Sequence, residues 1–226
     1  IYPYADHDPT KTFFPHVFKK AEEELGIPDK NHSFTIDGSG KNYLNPYRFL
    51  KEEYPKRREQ GMAYYSAICH GDLNMQNILL DNDMNVYLID FSETRPRSVV
   101  SDFARLEVIF MIESFPMEKQ EDFLQVLEFL TSFYEKPVSL DKQFRTAWSG
   151  RLPGLMQRNR TLTLKMREYA LIAAQGNKTF APYALALLEW ILPIVCYSSA
   201  TIWQKRLSAC VASLLCEALE SGKEVQ

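Results

Sequence analysis

His70, Asp72, Asn77 and Asp90 fall within the stretch CHGDLNMQNILLDNDMNVYLIDFSE, from Cys69 to Glu93. A histidine, two separated carboxylates and a carboxamide joined by short apolar runs are residue types that can orient a hydroxyl and hold a hard cation. Asp72 lies on the loop before NILL, where its carboxylate can accept a hydrogen bond from a substrate hydroxyl and turn it toward a γ-phosphate. Asn77 stands at the loop's exit and Asp90 at the end of the neighbouring run NVYLID. An antiparallel hairpin brings the Asp90 carboxylate alongside the Asn77 carboxamide. Two oxygen ligands then face one Mg²⁺, which takes hard oxygen donors together with substrate phosphates. His70 is better suited to bracing the loop through hydrogen bonds than to reacting. The candidate catalytic residues are therefore Asp72 and His70, and the candidate metal and nucleotide ligands are Asn77 and Asp90. Any one of them alone reads as an ordinary turn residue beside a hairpin; the set carries the chemistry.

The elements around them follow from periodicity. NILL and NVYLID are short apolar runs separated by DNDMN, whose Asp and Asn residues favour a turn, and this predicts a β-hairpin. Upstream, TKTFFPHVFKKAEEELGIP predicts an amphipathic helix with Thr10 or Asp8 as N-cap, Pro15 able to delay its start, and Gly26 then Pro28 as the stop. A polar, Gly-containing loop follows, then PYRFLKEEYPKRREQ, a helical segment interrupted at Pro55. Beyond Asp102 the apolar residues recur at helical spacing in FARLEVIFMIESF, in MEKQEDFLQVLEFLTSFYE and from Leu155 to Leu219. The expected fold class is mainly α with a small β-hairpin, as one domain over 1–226. It divides into a helical lead-in (1–68), the catalytic loop and metal-binding hairpin (69–102), and a bundle of about five or six helices (103–226).

Composition sets the outer bounds. A chain of 226 residues with 46% hydrophobic content can bury a sizeable core, which excludes a disordered segment. The net charge of −3 comes from interspersed charges without a long block of one sign, so no nucleic-acid footprint is present. Cys69, Cys196, Cys210 and Cys216 form no CxxC pair and lie mostly in apolar runs, which reads as buried thiols in a reducing compartment, the cytoplasm. The run YALALLEWILPIVCY, from Tyr183 to Tyr197, contains Glu189 and Pro193 and is too short to cross a bilayer comfortably. It predicts a buried, kinked helix and no membrane span. The chain opens on Ile, without a charged-then-apolar signal segment, which points to processing or to a piece of a longer protein.

The kinase catalytic loop has the form H-x-D-x-x-x-x-N, followed across a hairpin by an aspartate in a D-F-G-like context. Here those positions are His70, Asp72, Asn77 and Asp90 followed by Phe91, with Ser92 in the glycine position. HGDLNMQN together with LIDFSE resembles the aminoglycoside phosphotransferase and choline kinase group of protein-kinase-like enzymes. SDFARLE resembles the D-[LIF]-A element that opens the next helix in that group. LIDFSETRPRSVVSDFARLE also resembles the kinase-like ternary-complex-associated domains of bacterial signalling and conflict proteins. The resemblance implies Asp72 as catalytic base, Asn77 and Asp90 as Mg²⁺ ligands, and Asp102 as a structural brace. ATP or another nucleoside triphosphate would be the donor and a small-molecule hydroxyl the acceptor.

The stretch before His70 reads mostly as helix, with no strand-rich segment carrying a glycine loop and a partnered lysine. The expectation is thus a kinase-like C-lobe with the N-lobe largely absent from this chain, completed by a missing N-lobe or a partner protein. DGSGK, Asp37 to Lys41, lacks the first Gly of the phosphate-loop pattern and has Asn42 in place of Ser/Thr, so it reads as a polar loop. The competing expectation is a catalytically idle kinase-like domain that binds nucleotide or a protein partner. Arg158, Arg160, Lys165 and Arg167 read as a solvated helix face rather than phosphate ligands, and Arg95 and Arg97 as surface charge. Glu93 and Glu107 are close enough in sequence to help bind a cationic substrate, although Glu107 also suits a helix surface. Trp190 and Trp203 read as core.

Overall fold

The structure, a computed structural model, describes residues 14–60, 65–134, 153–177 and 179–221. It is mainly helical with small antiparallel sheets. Helix α1 (Phe14–Leu25) ends where expected. Gly26 takes φ +68°, and the amides of Gly26 and Ile27 close back on the carbonyls of Glu22 and Ala21, both at 3.1 Å. The Thr10 and Asp8 cap candidates lie outside the described residues. Between α1 and α2 the expected loop contains a hairpin, β1 (Ser33–Thr35) with β2 (Asn42–Leu44), so the lead-in is not purely helical.

Helix α2 (Pro46–Gln60) runs through Pro55, against the expected interruption. Proline forfeits only the bond to the carbonyl of Lys51, and Lys51 is solvent-exposed, where water can take up that carbonyl. The start of α2 is held firmly. Asn45 Oδ1 accepts from the amides of Tyr47 and Arg48, and its Nδ2 donates to the carbonyls of Pro28 and Asn31.

Strand β3 (Ser66–Cys69) pairs with β6 (Arg95–Ser98), enclosing the expected hairpin of β4 (Ile78–Leu80) and β5 (Val86–Leu88). Helix α3 (Ser101–Val108) continues into one π turn, Ile109–Glu113, whose carbonyl at Phe110 accepts the Asn159 side-chain amide at 2.6 Å. Helices α4 (Gln120–Tyr134), α5 (Gly154–Ala173), α6 (Ala181–Ile191) and α7 (Ile202–Ser221) complete the described bundle.

The apolar run 183–197 is not one helix. It changes at Leu192 into a 3₁₀ segment, Leu192–Cys196, with Pro193 near its start. Helix α7 is buried on nearly every side from Leu207 to Cys216 and packs on α4, α6, α2 and α1, which makes it the axis of the core. Each large apolar side chain buried there contributes roughly 1.5–3 kcal/mol relative to exposure. Among the described residues no helix is long and apolar enough to cross a membrane.

Candidate functional site

Strand β3 delivers the chain to His70, and α3 holds it there. Asp102, in the first turn of α3, accepts the His70 amide on Oδ2 at 2.8 Å and the Gly71 amide on Oδ1 at 3.0 Å. A carboxylate at a helix N-terminus receiving two amides is favoured twice, by charge-assisted hydrogen bonds and by the helix dipole. Asp102 is thus a brace in geometry as well as in pattern. Gly71 adopts φ +86°, and a Cβ at that position would lie 2.2 Å from the Glu93 carbonyl oxygen, so only glycine fits.

The His70 ring is buried, with Nε2 2.8 Å from the Ile89 carbonyl. Nε2 therefore carries the proton and donates, while Nδ1 is buried with no protein partner. This bond ties the loop to the strand end that carries Asp90, the bracing contact expected of His70. Its ring also lies 5.1 Å from that of Phe91.

Asp72 is half-buried just after this clamp. Asn74 then caps the 3₁₀ turn Met75–Asn77, its Oδ1 accepting from Gln76 at 2.9 Å and Asn77 at 3.2 Å. Its Nδ2 reaches the Asp72 carbonyl and carboxylate at 3.3 and 3.4 Å. Asn74 adds to the residues named from the sequence; its signal is an Asn placed to cap the amides two and three residues on.

Asn77 is buried, and its Nδ2 donates to the Asp72 carbonyl at 2.9 Å, leaving Oδ1 as the acceptor end. The Ile89 amide donates to the Asn77 carbonyl at 3.1 Å, continuing the β4–β5 register, so Asp90 stands one residue beyond the partner of Asn77. Asp90 is exposed and left-handed at φ 60°, a conformation that aspartate tolerates better than most residues. Ser92 Oγ donates to its Oδ1 at 2.8 Å. An amide oxygen and an exposed carboxylate on adjacent rungs are hard donors that fit Mg²⁺, with phosphate and water oxygens needed to complete six-coordination. Among the described residues no group of three or more His, Cys, Asp or Glu forms a protein-only metal cage.

Two neighbours are chemically quiet. Burial pushes the Cys69 thiol up to about 11, and its Sγ lies 3.3 Å from the Ser98 carbonyl, so it offers no thiolate nucleophile. At the hairpin tip Asp81 is held below the usual carboxylate range by hydrogen bonds, first from the Asn85 side chain, and serves the turn.

Three charge assignments change. Glu107 and Arg167 are both 0% exposed and joined by two hydrogen bonds, so Glu107 neither lies on a surface nor reaches substrate, and Arg167 is not part of a solvated face. Arg97 is 8% exposed, not surface charge, and pairs with Glu189 at 3.1 Å and Glu93 at 3.8 Å. Arg158 and Lys165 are solvent-exposed, as read. The DGSGK loop is a polar turn against other elements. Ser39 Oγ donates to the Ile36 carbonyl, Gln120 Nε2 donates to the Asp37 carbonyl, and Lys41 lies near Tyr43 and Glu217. Trp190 and Trp203 are half-buried against the core.

Around the site lies an unusual surface. Ile68 (70% exposed), Val86 (62%) and Phe91 (58%) are exposed, as are Met75, Leu79, Leu80, Tyr87 and Leu88. By the β4–β5 register Leu79 and Tyr87 lie on one face of the hairpin and Leu80, Val86 and Leu88 on the other, so both faces expose apolar side chains.

Helical bundle, clamped loop and adjoining hairpin define a mainly α domain with a polar site at one small sheet. The chain belongs to the ternary complex associated domain 9 family, whose model matches residues 15–162. That span contains most of the lead-in, residues His70 to Asp102 of the site and the start of α5. No curated protein and no solved structure matches the chain.

Proposed function

We propose that this domain is the C-lobe of a protein-kinase-like phosphotransferase, moving the γ-phosphate of ATP, or of another nucleoside triphosphate, to a small-molecule hydroxyl with Mg²⁺. The observation that carries the reading is the double tether between the Asp72 loop and the Asp90 strand end, through Asn77 to Ile89 and His70 to Ile89. In this reading Asp72 accepts the acceptor hydroxyl's proton as that oxygen bonds to the γ-phosphorus and the bond to the β–γ bridging oxygen breaks, releasing the nucleoside diphosphate. Asn77 Oδ1 and the Asp90 carboxylate would hold the Mg²⁺, which when bound neutralises charge on the phosphates. The exposed apolar residues of the hairpin suit a covering N-lobe or partner protein. The free thiols, buried at Cys69, Cys210 and Cys216 and half-buried at Cys196, suit a reducing compartment, the cytoplasm.

Those same exposed residues support a second reading, a catalytically idle kinase-like domain that binds nucleotide or a protein partner in a bacterial signalling assembly. The deciding experiment supplies the domain with its covering segment or partner, then γ-labelled ATP, Mg²⁺ and a panel of hydroxyl compounds. Transfer that is lost in Asp72→Asn supports the enzyme. No transfer across the panel, with partner binding intact in that variant, establishes the idle domain.

A further inference from the structure

Arg97 lies at a junction that the proposed chemistry does not yet use. It stands on β6, opposite Ala67 of β3, with its side chain buried. Its Nη1 reaches Glu189 on α6 at 3.1 Å and its Nη2 reaches Glu93 at 3.8 Å. Glu93 closes the short turn Phe91–Glu93 that begins directly after Asp90. The Arg97 Nε is buried without a hydrogen-bond partner and would lie 3.2 Å from a Cβ placed on Gly71, the residue before Asp72. One guanidinium thus pairs with the turn after Asp90 and lies beside the glycine before Asp72.

Gly71 is enclosed from several directions. Its amide is held by Asp102 from α3, the Glu93 carbonyl closes one side, and the Arg97 guanidinium flanks it with Glu189 behind. Helices α3 and α6 pack directly on each other, so the two anchors belong to one rigid pair. A planar guanidinium can address two carboxylates at once while its stem packs on the backbone, which an ammonium does less well. Glu189 lies far from the motif in sequence but reaches it through this one side chain.

We propose that Arg97 is a positioning residue. With Glu189 it ties the Gly71–Asp72 turn and the Phe91–Glu93 turn to α6, and so sets the placement of Asp72 relative to Asp90. Its effect on turnover rests on the phosphotransfer reading; its effect on the geometry does not.

The test measures site-resolved amide hydrogen exchange on the chain with Arg97→Met, Glu189→Gln and both together. In Arg97→Met, exchange at Gly71 and across Phe91–Glu93 rises by roughly 10-fold or more, while the core of α7 around Cys210 to Cys216 stays within about 2-fold. Glu189→Gln accelerates the same sites, and the double variant exceeds Arg97→Met by little, because the two residues act as one unit. Unchanged exchange at those sites overturns the proposal. So does a rise of equal size in α7, which would make Arg97 a general fold contact, or two effects that simply add. If Arg97→Met does not fold, Glu189→Gln carries the same test with Arg97 in place.

Where the completed domain transfers phosphate, Arg97→Met lowers kcat by about 10-fold with nucleotide KM within about 2-fold, and Arg97→Lys recovers part of the loss. A rise in KM with kcat unchanged overturns the positioning role in turnover. If the parent shows no transfer, the phosphotransfer reading falls and the exchange pattern alone decides Arg97.

Discussion

Asp102 accepts the Gly71 amide at 3.0 Å, and Gly71 in turn sits against the Glu93 carbonyl in a conformation open only to glycine. The α3 N-terminus, the Gly71–Asp72 turn and the segment after Asp90 therefore meet at one residue. Gly71→Ala adds a methyl where 2.2 Å is available and demands a positive φ of an L side chain. The expected cost is about 2–4 kcal/mol, from left-handed strain and backbone displacement together. Urea unfolding measures it; a change under about 0.5 kcal/mol would show that the turn is looser than described.

Glu107 and Arg167 form a fully buried pair that Tyr134 and Tyr183 complete, each phenol donating to the carboxylate at 2.6 and 2.8 Å. The guanidinium also lies 4.4 Å over the Phe133 ring. Glu107→Gln or Arg167→Met strands one buried charge, and each should cost about 3–5 kcal/mol. Replacing both by apolar residues of similar volume should recover much of that loss in denaturant melts. A double variant as damaged as the sum of the singles would rule out this account.

Alkaline pH should destabilise the domain. Burial raises the phenols of Tyr47, Tyr134 and Tyr183 above their ordinary range and the Cys69 thiol to about 11. In the unfolded chain these groups lose protons at their ordinary values, near 8.5 for thiols and about 10 for phenols, while the folded chain keeps them. The unfolded state then binds fewer protons, so unfolding free energy falls as pH rises. The stability contribution is intact below about pH 8 and falls by roughly 1.4 kcal/mol per pH unit for each such group above its unfolded value. Urea midpoints from neutral to strongly alkaline pH would show the decline, and a flat profile would contradict it.

If the phosphotransfer reading holds, Asp72→Asn and Asp90→Asn should separate proton acceptance from metal binding in the domain with its covering segment or partner. Asp72→Asn keeps size and hydrogen bonding, so kcat should fall by about 10²-fold or more with nucleotide affinity little changed. Asp90→Asn removes an anionic ligand and should weaken Mg²⁺–nucleotide binding as well as turnover. Calorimetry beside transfer kinetics tells them apart. Identical effects of the two variants on binding would remove the assigned division of roles.

Several features are legible in the sequence because their cause is local. The α1 stop at Gly26, the β4–β5 hairpin and the helical run after Asp102 depend on residues within a turn or two of one another. The grouping of His70, Asp72, Asn77 and Asp90 was legible for a related reason. A hairpin converts fixed sequence spacing into spatial neighbours, and the Asn77–Ile89 bond shows that conversion. Other features depend on pairings that no local pattern records. Glu107 meets Arg167 across α3 and α5, Arg97 meets Glu189 across β6 and α6, and β3 pairs with β6 around the whole hairpin. On sequence alone, a charged residue on a helix or strand reads as solvated, since burial without a partner is prohibitive. Only the packed structure supplies the partner, and with it the reversal. The exposed hairpin belongs to the same class. Its short apolar runs specify strands, but their exposure is set by where the described helices pack, and those helices pack on one another.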